Sequence, residues 1–282
     1  MGGFLAQSAG AFRWDIFLLC ILTTVCLQIL SNLANDYGDS IHGADSRDRQ
    51  GPQRAVQSGA VTSAQMLTAV AVFVCLSLIS GISLLLLAFG LQWKAILFFF
   101  GVGVLSILAA IAYTVGKKPY GYAGLGDLSV LIFFGFVGVL GSYYLFTKSI
   151  RIVEALPALS CGLFSIAVLN INNVRDIDSD RKAGKYSIPV RIGREKAIIY
   201  HWLLLGTGFL SAVAYTVLNY ASPWQLLFLL TIPLFIINAV AIQARPPQGL
   251  DPYLKQMAFS TLAFVLLFGA GLVLSGEGVF RS

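Results

Sequence analysis

The chain has 282 residues, 57% of them hydrophobic and only 11% charged, with a mean hydropathy of +0.80. A soluble domain would carry about twice that charged share, and the uncharged runs at 67–89 and 95–115 are each long enough to cross a hydrocarbon core about 30 Å thick. A soluble enzyme is excluded, and in a membrane chain the net charge of +6 speaks to topology rather than to nucleic acid.

In chain order, residues 1–13 form a stub. As a helix it would reach about 20 Å, too short to cross, and it lacks the basic start and cleavage site of a signal peptide. Eight full spans follow, at roughly 14–35, 64–89, 94–115, 127–147, 153–174, 197–219, 223–243 and 256–275. The expected fold is all-α: a polytopic transmembrane bundle in a single domain over 1–282. Long polar segments (36–62, 116–126, 175–196 and 244–255) alternate with short turns. Most of the 19 Lys and Arg lie in the long segments, so these are expected on the cytoplasmic side. Most of the acids share that side, although topology alone does not call for them.

Cys20, Cys26, Cys75 and Cys161 lie inside apolar runs and form no CxxC pair, so they read as small buried hydrophobes. His42 and His201 are isolated, which argues against a histidine metal site.

The first span ends in Asn32-Leu-Ala-Asn35-Asp36-Tyr37-Gly38-Asp39. Residues three or four apart share a helix face, so Asn32, Asn35, Asp36 and Asp39 form one polar stripe at the end of an apolar helix. The fifth span ends in Asn170-Ile-Asn172-Asn173-Val-Arg175-Asp176-Ile-Asp178-Ser-Asp180. Asn172, Asp176 and Asp180 fall at i, i+4 and i+8, while Asp178 points elsewhere. Two carboxylate pairs at membrane depth are costly unless something neutralises them. Oxygen ligands without His or Cys favour Mg²⁺, which takes one or two carboxylates and fills its other positions with phosphate and water. Two facing motifs could therefore clamp one Mg²⁺-diphosphate. Two solvated acidic loop starts, or a cation or proton pathway, are the alternatives.

Cations follow each motif: Arg47, Arg49 and Arg54 after the first, Arg181, Lys182 and Lys185 after the second, and Lys117 and Lys118 after the third span. Each set could serve topology alone. A departing diphosphate needs its charge neutralised where it develops, and metal with Arg or Lys does this. The segment Tyr120-Gly-Tyr122-Ala-Gly124-Leu-Gly126-Asp127 lacks the order of a phosphate-binding P-loop. It suits a lid, with Tyr113, Tyr120 and Tyr122 able to stabilise an allylic cation through their ring faces or to sit in an interfacial aromatic belt.

Four ordered strings, SNLANDYGD (31–39), GPQR (51–54), YTVGKKPYGYAGLGD (113–127) and LNINNVRDIDSDRKAGK (169–185), resemble the UbiA-type intramembrane prenyltransferases. Within that superfamily they look most like the branch that prenylates 1,4-dihydroxy-2-naphthoate in menaquinone synthesis. The likeness runs from Gln28 onward. It implies nine helices around a cavity open sideways to lipid, in a bacterial cytoplasmic (inner) membrane, and a polyprenyl diphosphate donor. Asp36, Asp39, Asp176 and Asp180 would hold Mg²⁺, with Asn35 and Asn172 in support. Arg54, Lys118, Arg181 and Lys185 would contact phosphate, and Tyr113 would face the allyl carbon. The ring would then lose CO₂ to give demethylmenaquinone. The family normally begins with a complete helix bearing an Arg-Pro signature, so residues 1–13 read as the far end of a shortened first helix. Another aromatic acceptor within the family, or an ion-coupled transporter, are the competing functions.

Overall fold

Trp14–His42 is a single unbroken helix, and the aspartates of the first motif ride on its last two turns. It is one of eight helices, among the described residues, that are long and apolar enough to cross a membrane. The computed structural model describes residues 1–42 and 54–276. A short helix, α1 (Gly2–Ser8), precedes the spans α2 (Trp14–His42), α3 (Ser63–Phe89), α4 (Trp93–Ala112), α5 (Gly126–Thr147) and α6 (Ile152–Arg175). The small helix α7 (Ile177–Lys182) follows, then the spans α8 (Arg194–Leu218), α9 (Pro223–Ala244) and α10 (Asp251–Leu274). The eight expected spans are all present. Large apolar side chains such as Leu97, Phe98, Leu210 and Leu230 are more than half exposed, as lipid-facing residues are.

The chain packs as two compact units. One holds residues 1–12, 127–175 and 191–282, and so contains α1, α5, α6, α8, α9 and α10. Its centre is aromatic: the buried Phe164 ring lies 4.6 Å from Phe235, 4.8 Å from Phe264 and 5.2 Å from Phe209. Polar side chains stitch its helices, since Ser160 Oγ donates to Gly208 O at 2.8 Å and Asn238 Nδ2 to Tyr253 O at 2.8 Å. Such bonds help where water cannot compete. The short α1 is buried through Leu5 and Ala6, with Phe4 seated on Gly269 of α10.

The other unit holds residues 13–126 and 176–190, which are α2, α3, α4 and the α7 segment. Leu30, Val70 and Ile107, one from each long helix, form its core. A capping box starts α3, where the Thr62 side chain accepts from Gln65 N and the Gln65 side chain accepts from Thr62 N, satisfying two orphan donors. Every side chain placed around the two acidic motifs below lies in this unit, apart from Asn172, Arg175 and Asp251.

Candidate active site

The first motif is built on the last turns of α2. Thr114, just after α4, donates from Oγ1 to Ala34 O at 3.0 Å and reaches Asn35 Oδ1 at 3.4 Å. This approach leaves no room at Gly38, where an added Cβ would lie 2.4 Å from Thr114 Oγ1 and 2.6 Å from the Thr114 carbonyl carbon. Gly38→Ala is therefore expected to cost about 1–3 kcal/mol and to lower the melting temperature of the purified protein. An unchanged melt would show that the two segments separate at no cost. Asp39 is buried at 4% exposure. Its Oδ2 accepts from Arg54 Nη1 at 3.0 Å and its Oδ1 from the Tyr122 hydroxyl at 2.9 Å. Arg54 Nε stands 3.9 Å from Asp36 Oδ1, so one guanidinium serves both carboxylates.

The second motif is less regular than its i, i+4, i+8 spacing predicts. The helix breaks at Asp176, which sits outside α6 and α7 with φ −100° and ψ 14°. Its carbonyl still accepts from Asp180 N at 2.8 Å, so helical spacing survives between the two aspartates across the break. Asp176 and Asp180 are both buried, whereas Asp178 is exposed, as its position off the shared face predicts. After α7 the chain turns at Gly184, whose φ of +73° is left-handed and suits glycine. That turn folds Lys185 back, so that its backbone N donates to Asp180 O at 2.8 Å and its Nζ pairs with Asp180 Oδ1 at 3.3 Å.

Electrostatics join the two motifs. Burial pushes the Asp180 carboxyl up to about 6, Lys185 pulls it down, and the neighbouring Asp176 and Asp39 raise it further. Burial works against the Lys185 ammonium, but Asp180 and Asp39 outweigh it and hold its pKa above the ordinary lysine value, with Tyr113 adding to the same side and Arg54 opposing. Asp39, Asp180, Lys185, Arg54 and Tyr113 thus share one electrostatic neighbourhood. Asp180 Oδ2 is buried and makes no hydrogen bond. An unsatisfied carboxylate oxygen at this depth is costly, and a hard cation is the natural complement.

The sequence matches the UbiA prenyltransferase family over residues 1–262. The chain belongs to that family. It is 44% identical to the 1,4-dihydroxy-2-naphthoate octaprenyltransferase of Haemophilus influenzae, over 96% of this chain and 88% of the relative. Identity to the protein of the same name from Escherichia coli is 43%, over 98% and 89%. For that of Mycobacterium tuberculosis it is 37%, over 92% and 85%.

In this UbiA chain the remaining expected site residues fall in distinct places. Tyr113 ends α4 and meets Tyr120 edge-on, with ring centroids 5.4 Å apart. Lys117, Lys118, Arg181 and Lys182 are exposed. Asn172 belongs to the other unit, where its Oδ1 accepts from Arg175 Nη2 at 2.8 Å and Arg175 pairs in turn with Asp251. Arg47 and Arg49 lie outside the described residues. No three carboxylate, histidine or cysteine side chains among the described residues form a ready metal cage. Sequence reasoning missed the Tyr122 bond to Asp39, which links residues 83 apart. It took Tyr122 for a lid, cation-stabilising or belt residue, and no local pattern marks such a contact.

Proposed function

We propose that this chain transfers a polyprenyl group from its diphosphate to 1,4-dihydroxy-2-naphthoate in menaquinone biosynthesis. The observation that carries the reading is the pairing of buried Asp39 with Arg54 and of buried Asp180 with buried Lys185, within one electrostatic neighbourhood. Its acceptor comes from the relatives, which bear that activity in their names and align over nearly their whole length.

Asp36, Asp39, Asp176 and Asp180 would hold Mg²⁺, which neutralises charge on the departing diphosphate. Arg54 and Lys185 neutralise the carboxylates in the resting protein and turn to phosphate oxygens when the donor arrives. Lys118 and Arg181, both exposed, add to that grip from outside. Asn35 steadies the first motif through Thr114. Tyr113 offers its ring face to the allyl carbon as the C–O bond to diphosphate breaks. The electron-rich ring carbon that bears the carboxylate then forms the new C–C bond. Loss of CO₂ from the ring restores aromaticity, so no strong protein base is required. The excess of Lys and Arg in the long segments supports a cytoplasmic site in a bacterial inner membrane.

The test is an assay of purified protein with octaprenyl diphosphate and a panel of acceptors. Prenylated naphthoquinol and CO₂ should appear in equal amounts, and chelation of Mg²⁺ should stop both. Prenylation of 4-hydroxybenzoate with dihydroxynaphthoate ignored would overturn the acceptor. Solute flux in liposomes that persists without Mg²⁺, with no prenylated product, would point to a transporter.

A further inference from the structure

We infer that Tyr122 is a positioning residue that fixes the two acidic motifs in register, with His42 holding its ring in place. The inference rests on the prenyl-transfer reading and adds to it a residue that touches no reacting atom.

Tyr122 lies in the segment between α4 and α5 and is bonded at both ends. Its hydroxyl donates to Asp39 Oδ1 at 2.9 Å. Its backbone carbonyl accepts from Tyr186 N at 2.9 Å. Tyr186 directly follows Lys185, whose ammonium pairs with Asp180. One residue therefore grips the carboxylate of the first motif and the returning chain of the second.

The hydroxyl also decides which oxygen Asp39 presents. With Oδ1 engaged by Tyr122, Oδ2 is the atom turned to Arg54 at 3.0 Å, and so the atom positioned to exchange that cation for a metal. Hydrogen-bond partners that orient a ligating carboxylate in this way tune its metal affinity.

His42 ends α2 with its ring 5.5 Å from that of Tyr122, tilted by 54°. Its Nδ1 is 2.9 Å from Gly38 O and its Nε2 is 2.9 Å from Gly116 O. Both partners are carbonyls, which only accept, so a neutral ring makes one of these bonds and an imidazolium makes both. The ring thus ties the end of α2 to the segment that carries Tyr122, and fills the space beside the phenol.

The test measures Mn²⁺ binding by electron paramagnetic resonance, in the presence of a prenyl thiolodiphosphate that does not ionise. Tyr122→Phe keeps the ring and the backbone tie and loses only the hydroxyl. It should weaken Mn²⁺ about tenfold or more, and His42→Ala should weaken it about threefold. In turnover, the Mg²⁺ requirement of Tyr122→Phe should rise by the same factor. Its kcat at saturating Mg²⁺ should stay within about threefold of wild type, with KM for the naphthoate unchanged. Unaltered Mn²⁺ affinity in Tyr122→Phe, or a kcat lowered equally at every Mg²⁺ concentration, would overturn the inference while leaving prenyl transfer intact. Wild-type protein that takes up no Mn²⁺ would sink the prenyl-transfer reading, and this inference with it.

Discussion

Asp180→Asn is expected to lower turnover by roughly 10³-fold or more while leaving the fold in place. The substitution keeps the size of the side chain and an acceptor for Lys185, and removes only the charge. That charge is what burial penalises: Asp180 is 3% exposed, its Oδ2 has no hydrogen bond, and its pKa is pushed up to about 6. An aspartate whose folded pKa stands above its unfolded value favours the fold most when protonated. Its contribution to the metal-free protein is therefore complete below the unfolded value of 3.8 and is lost as pH rises through about 6. Melting curves of metal-free wild type should show that loss between these pH values, and Asp180→Asn should show less of it. Mg²⁺ with a prenyl diphosphate analogue should raise the wild-type melting temperature and fail to raise that of the variant. Asp176→Asn should resemble Asp180→Asn. Asp178→Asn, exposed on the outer side of α7, should stay within about fivefold of wild type. Equal damage at Asp178 and Asp176 would contradict the arrangement.

Lys185→Ala carries the second large effect. The ammonium is buried, lies 3.3 Å from Asp180 Oδ1, and feels Asp39 and Tyr113 as well. Removing it strips Asp180 of its counter-cation and, in the proposed reaction, the departing diphosphate of a nearby positive charge. The kcat/KM for polyprenyl diphosphate should fall about 10²- to 10³-fold. The acid limb of the pH–rate profile should move to higher pH, because Asp180 without Lys185 holds its proton more tightly. Lys185→Arg should recover part of the loss, since it restores the charge on a bulkier group. Arg181→Ala removes an exposed side chain and should cost tenfold at most. If steady-state kinetics reverse that order, the phosphate grip lies on the outer face of α7 instead.

Much of this architecture is local and so was legible in the chain. An apolar run of some twenty residues needs only its own backbone bonds to be a span, and all eight spans could be read that way. The stripe of Asn35, Asp36 and Asp39 follows from helical periodicity alone, and α2 remains helical through Asp39. The outward direction of Asp178 could be read for the same reason, since one helical turn separates Asp176 from Asp180.

What the chain could not disclose are choices made by partners distant in sequence. Lys185, Arg181 and Lys118 are equivalent as basic residues after a span. The left-handed turn at Gly184 sends Lys185 back to Asp180, while Arg181 is exposed on α7. The break at Asp176 and the pairing of Arg175 with Asp251 are likewise invisible to a spacing rule. Tyr122 shows the limit most clearly, because its ring suits a lid, a cation or an aromatic belt equally well until Asp39 is found 2.9 Å from its hydroxyl. The sequence by itself determined the membrane spans and the chemistry available at their ends, because hydrophobic burial and helical pitch act over neighbouring residues. The tertiary structure alone decided which cation faces which carboxylate, because a charge–charge contact depends on ångström distances between segments whose separation along the chain carries no such information.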